Sequence, residues 1–239
     1  MVSNMDQDFA QLAEMRVPVK RAAFSDRTAW IMAILAELAY TPFDEESDDY
    51  ILSLAADLAK LTEQDEIAER LKSLRNVLAG LNPTPDDVDR RDAALKAALA
   101  AGGFEIAGGR VFHDAATDTE GFVVVRRDKE GTGMAVICFR GTKQIKDWMT
   151  NLKIKPVPIK HPVTGNTVGN MHSGFHDAYR SVHKVIAERL KDYEDLPLFI
   201  TGHSLGGALA VVATWYQSSA RLAACYARLL SCSRRPRIS

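Results

Sequence analysis

The chain reads as an α/β protein with its helices first and its sheet second. Three observations predict this. Helical spacing dominates up to about residue 101, short Val-, Ile- and Phe-rich runs follow, and an apolar strand near residue 200 passes through glycines into an Ala-rich helix.

Ser25 and Asp26 stand as caps before Trp30, Ile31, Ile34, Leu35 and Leu38, which recur at helical spacing. A second helix is expected from Ser47, with Tyr50, Ile51, Leu54, Leu58 and Leu61 on one stripe. A third carries Ile67, Leu71, Leu74 and Leu78 and stops at Gly80 and the Pro83/Pro85 break. A fourth spans Asp86 to Ala101. Packing of these helices on a sheet is favoured over a cap above a site, and no chemistry is assigned to them.

After Gly102-Gly103 come FEIAG, then GFVVVRR at 121–127 and MAVICFR at 134–140, the last two separated by DKEGTG, which predicts strands with a hairpin between the last two. In KQIKDWMTNL, Ile145, Trp148, Met149 and Leu152 recur at i, i+3, i+4 and i+7. A Pro/Gly-rich loop follows, then a helix at 175–191. A buried strand, LPLFIT at 196–201, leads into a helix from Leu205 to about Tyr216. The organisation expected is a helical region at 1–101, an α/β core at 102–217 and an atypical basic tail at 218–239.

With 46% hydrophobic residues, 26% charged residues and a net charge of −1, the chain can bury a core and has no basic field to collect nucleic acid. The opening MVSNMDQDFAQLAEM has no apolar centre, so no secretory signal is read there and a cytoplasmic location is expected. No apolar run reaches the roughly 18 residues of a membrane span. Any lipid contact is therefore expected to be local and transient. The three cysteines, Cys138, Cys225 and Cys232, lack metal-ligand spacing, so neither metal nor cofactor is expected, and Cys138 within its apolar strand reads as a buried thiol.

Chemistry enters with Gly202-His203-Ser204-Leu205-Gly206, a GxSxG between an apolar strand and a helix. A sharp strand-to-helix turn there leaves the Ser204 hydroxyl exposed, and glycines on both flanks remove side chains that would collide with the neighbouring strand and helix. The helix N-terminus aims N–H groups and its positive end at an oxyanion. Ser204 is thus read as the nucleophile of a serine hydrolase with an α/β-hydrolase core. His203, next to Ser204 on a sharp turn, is expected to point away from it. His172 and His176 are expected to support the turn from within the core, and His113, His161 and His183 to lie at the surface.

Three segments, VICFRGT ending at Thr142, MHSGFHDAY at 171–179 and LFITGHSLGGALA at 198–210, resemble the class 3 (fungal-type) triacylglycerol lipases, over about residues 103–217. The resemblance implies hydrolysis of acylglycerol-type carboxylic esters, so a lipid or ester substrate is expected. It makes Thr142 an oxyanion-hole residue with the Leu205 N–H as partner, and puts a lid at Ile145, Trp148, Met149 and Leu152. A phospholipase or lysophospholipase, or a non-catalytic relative, is the alternative.

From Leu205 to Ser239 there is no Asp, Glu or His, although α/β-hydrolases place the acid and the base after the nucleophile. The family pattern departs just after Tyr226. The expectation is a core incomplete at the C-terminus, and a slow or inactive chain unless a base comes from elsewhere.

Overall fold

The computed structural model describes residues 25–40, 48–64, 66–80, 87–141 and 155–233. Four helices come first, α1 (Asp26–Tyr40), α2 (Asp48–Leu61), α3 (Ile67–Gly80) and α4 (Asp87–Ala101). Then follow β1 (Glu105–Ile106), β2 (Phe112–Asp114), β3 (Thr119–Arg127) and β4 (Gly133–Phe139). The remaining elements are β5 (Pro156–Lys160), β6 (Thr167–His172), α5 (Ser173–Leu190), β7 (Leu198–Gly202) and α6 (Leu205–Ser233).

The main sheet runs β1-β3-β4-β7, with β2 also paired to β3. Strands β3 and β4 form the expected hairpin, antiparallel from Gly121↔Phe139 to Arg127↔Gly133, and β4 pairs with β7 in parallel, Phe139 opposite Gly202. A parallel pair needs a long crossover, and α5 lies within it.

Alternation along β3 and β4 builds two cores. Phe122, Val124, Val136 and Cys138 face α1–α4, meeting Ile31, Leu35, Leu38, Leu58 and Leu99, all buried. The intervening residues Val123, Val125, Ile137 and Phe139 face α5 and α6, where Tyr179, Val182, Ile186 and Ala213 cover them. A strand whose successive side chains point to opposite faces must be apolar throughout when both faces are covered, which is why GFVVV and MAVICF are continuous apolar runs. Burying each such Val, Ile or Phe contributes about 1.5–3 kcal/mol. Helices α1–α4 therefore share their core with the sheet.

Three expectations need correction, and one strand was missed. The Pro/Gly-rich loop contains a hairpin, with Pro156 opposite His172 and Pro158 opposite Asn170 in a separate two-stranded sheet. Proline is tolerated there because each strand of a two-stranded ribbon keeps one edge free of ladder bonds. The final helix runs to Ser233 rather than about Tyr216, because QSSARLAACYARLLSCS contains no Gly or Pro to stop it. Strand β7 is half-buried along its whole length rather than buried, being at the edge of the main sheet among the described strands. The strand β2 was not expected; it is only three residues long. Cys138 is the buried thiol expected, its Sγ 3.0 Å from the Leu35 carbonyl, and desolvation pushes its pKa up.

Candidate active site

The turn between β7 and α6 is built by backbone contact. Ser204 has φ +54°, in the left-handed region that a non-glycine residue adopts at a cost of about 1–3 kcal/mol. A Cβ on Gly202 would stand 2.3 Å from the Gly206 carbonyl oxygen, and one on Gly206 would stand 2.4 Å from the Phe139 carbonyl oxygen. Both glycines are therefore required by the close approach of β4, β7 and α6. The Gly206 and Gly207 N–H groups donate to the His203 and Ser204 carbonyls at 2.9 Å each, which closes the turn. The first N–H of a helix has no intrahelical acceptor, which leaves the Leu205 N–H available beside the exposed Ser204 side chain.

His203 turns toward α1, its Nε2 3.8 Å from Glu37 Oε2. His172 is the N-cap of α5, its Nδ1 accepting from the Gly174 N–H at 3.1 Å. His176 pairs with Asp177 at 2.9 Å and packs against Tyr216. His176 is largely buried, its side chain 14% exposed, and His172 is half-buried; both contacts serve α5. His183, expected at the surface, is half-buried against Tyr179 and Tyr216, and burial first, then Arg180, lowers its pKa. Among the described residues no imidazole is hydrogen-bonded to the Ser204 hydroxyl.

The strand end beside the turn is held by charges that sequence reading missed. Arg140 and Arg91 of α4 both bond the Glu120 carboxylate, and the Arg140 N–H donates to the Glu120 carbonyl at 2.9 Å. The three side chains are only 23%, 23% and 13% exposed, so this cluster ties α4 to the sheet next to Gly141. A Glu near the start of β3, across the hairpin from the Arg of FRG, was the available signal. Thr142 and the expected lid residues Ile145, Trp148, Met149 and Leu152 lie outside the described residues.

Among the described residues no group of His, Cys, Asp and Glu could hold a metal, and no helix is long and apolar enough to cross a membrane.

With the strand, the strained serine and its two flanking glycines in place, a comparison with known families becomes informative: residues 136–233 match Lipase (class 3). This segment is similar to the class 3 lipases. Its strand–turn–helix beside a parallel strand is the α/β-hydrolase arrangement. The chain is 37% identical over 94 residues to a lipase of Rhizomucor miehei, covering 38% of this chain and 24% of that one. It is 36% identical over 116 residues to a chloroplastic phospholipase A(1) of Arabidopsis thaliana, covering 40% of this chain and 26% of that one. A solved Rhizomucor miehei triacylglyceride lipase is 30% identical, covers 51% of this chain and 44% of that one, and has a TM-score of 0.38. The chain spans about a quarter of the length of the curated relatives it matches.

Proposed function

We propose that this chain is a serine carboxylic-ester hydrolase of lipase type, in which Ser204 attacks an acylglycerol carbonyl and forms an acyl-enzyme. The observation that carries the reading is the left-handed backbone of Ser204 between β7 and α6, fixed by glycines that admit no Cβ. Strain of this kind persists only where the surroundings impose it, and its effect here is to lift a hydroxyl clear of both elements.

Attack breaks the carbonyl π bond and forms an Oγ–C bond, and the Leu205 N–H at the helix N-terminus receives the negative charge that develops on oxygen. Thr142 is the second oxyanion donor in this reading, through its N–H and hydroxyl. Collapse expels the alcohol, and water then cleaves the acyl-enzyme. Proton transfer requires an imidazole base with a carboxylate behind it. Such a pair is absent from Leu205–Ser239, so turnover depends on a base from another part of the protein.

A phospholipase A1 reading has specific support, since the Arabidopsis thaliana phospholipase A(1) is as similar as the fungal lipase. Release of fatty acid from triolein and from phosphatidylcholine emulsions, compared with the Ser204→Ala protein, tests both. Ser204-dependent release from either supports ester hydrolysis and identifies the head group; release unchanged by Ser204→Ala excludes this mechanism.

A further inference from the structure

Helix α1 is fastened to the sheet directly beneath the nucleophile turn. Thr201 Oγ1 donates to the Met32 carbonyl at 3.1 Å, and Cys138 Sγ to the Leu35 carbonyl at 3.0 Å. His203 follows the last residue of β7 and its side chain also reaches α1. Two residues beyond Leu35 on α1, Glu37 meets His203. Its Oε2 stands 3.8 Å from His203 Nε2, while its Oε1 accepts from the Tyr50 hydroxyl of α2 at 3.1 Å. A phenol, a carboxylate and an imidazole therefore run from the second helix to the residue immediately before Ser204.

We propose that Glu37 and Tyr50 are positioning residues for Ser204: they hold the His203 imidazole against α1 and so fix the backbone from which the Ser204 hydroxyl projects. The proposal rests on the reading of Ser204 as a nucleophile. The close approach of Gly202 and Gly206 to Phe139 and to each other fixes the backbone of the turn. Glu37 adds a contact from α1 to the His203 side chain. Glu37 is itself 33% exposed and His203 40% exposed, and pairs this wet contribute little to global stability. Misplacement of a reacting group by about 1 Å costs up to about 100-fold in rate. Removing Glu37 should therefore slow the serine far more than it loosens the fold, which separates positioning from simple packing.

Retention of the Tyr50 proton supports the same arrangement. Burial first, then the Glu37 charge and hydrogen bond, raise the phenol's pKa, so Tyr50 remains a donor through the neutral range. Glu37 is thus kept in one orientation by a donor on α2 while its other oxygen faces the turn.

The test is covalent labelling of Ser204 by a p-nitrophenyl alkylphosphonate, followed by release of p-nitrophenol and by peptide mass spectrometry, at a series of probe concentrations. For Glu37→Ala the expected result is a limiting rate lower by about 3- to 30-fold, a half-saturating concentration within about 2-fold, and a melting temperature within about 2 °C of the unaltered protein. Tyr50→Phe should lose about 2- to 5-fold, and Glu37→Gln, which keeps an acceptor for Tyr50, should regain at least half of the Glu37→Ala loss. The double variant Glu37→Ala/His203→Ala should be no slower than the slower single variant, since both remove the same contact. A Glu37→Ala limiting rate equal to that of the unaltered protein, or losses that multiply in the double variant, would overturn the role. Should Glu37→Ala fail to fold, the half-exposed Tyr50→Phe decides, and an unchanged limiting rate there counts against the proposal. Absence of Ser204 labelling in the unaltered protein removes the nucleophile reading and this role with it, whereas normal labelling that ignores Glu37 and Tyr50 removes this role alone.

Discussion

Gly202 and Gly206 approach so closely that a Cβ on the first would lie 2.3 Å from the carbonyl oxygen of the second. The contact fixes the geometry of the turn between them, and Ser204 takes its left-handed φ of +54° as a consequence.

Gly206→Ala should therefore destabilise the protein by about 1–3 kcal/mol or more, because the atoms in the way are Phe139 and Arg140 backbone and cannot rotate aside. Ser204→Gly should do the reverse, gaining about 1 kcal/mol by relieving the positive φ while losing the hydroxyl. Urea unfolding midpoints of the two variants provide the check. Equal stability of all three proteins would mean the turn is not under strain.

The Arg91–Glu120–Arg140 cluster gives a second expectation. Glu120→Gln leaves two largely buried guanidinium groups without their shared carboxylate, and should cost about 2–4 kcal/mol, somewhat less than for a fully buried pair. Burial already lowers the Arg91 pKa, and Glu120 is the largest opposing influence. Thermal melting measures this. A loss under about 0.5 kcal/mol would place the cluster among surface pairs.

His183 gives a pH dependence. Its folded pKa lies below the ordinary 6.5, burial being the first cause, so the unfolded chain binds the proton more readily. Stability from this group is complete above about pH 6.5 and falls as pH drops through the folded value. His183→Phe, which keeps a ring against Tyr179 and Tyr216, should flatten the melting temperature between about pH 5 and 7. An unchanged slope would assign the acid sensitivity to other groups.

Legibility in the sequence followed the reach of each signal. Strands β3 and β4 and all four early helices were readable because their apolar spacing is set by burial, which acts on every residue of the element. Gly202 and Gly206 were readable because a turn without room for a Cβ leaves glycine as the residue that fits. The β5–β6 hairpin was hidden because its strands bury little: Val168 is 51% exposed, so no alternation marks them. Glu37, Tyr50, Arg91 and Glu120 were hidden for another reason. Each belongs to the site through a partner 13 or more positions away, and a single sequence does not announce which distant charges meet.

Selective modification of Ser204 tests the central claim most directly. The 239-residue chain is exposed to a p-nitrophenyl alkylphosphonate, digested, and every serine-containing peptide is quantified by mass spectrometry. The account predicts that the phosphonyl group accumulates on the peptide containing Ser204 at least about 100-fold faster than on any other serine, because oxyanion donors and a projected hydroxyl act there even where proton transfer is slow. Phosphonylation should vanish in Ser204→Ala. Labelling spread evenly over the serines, or undiminished in Ser204→Ala, would contradict it.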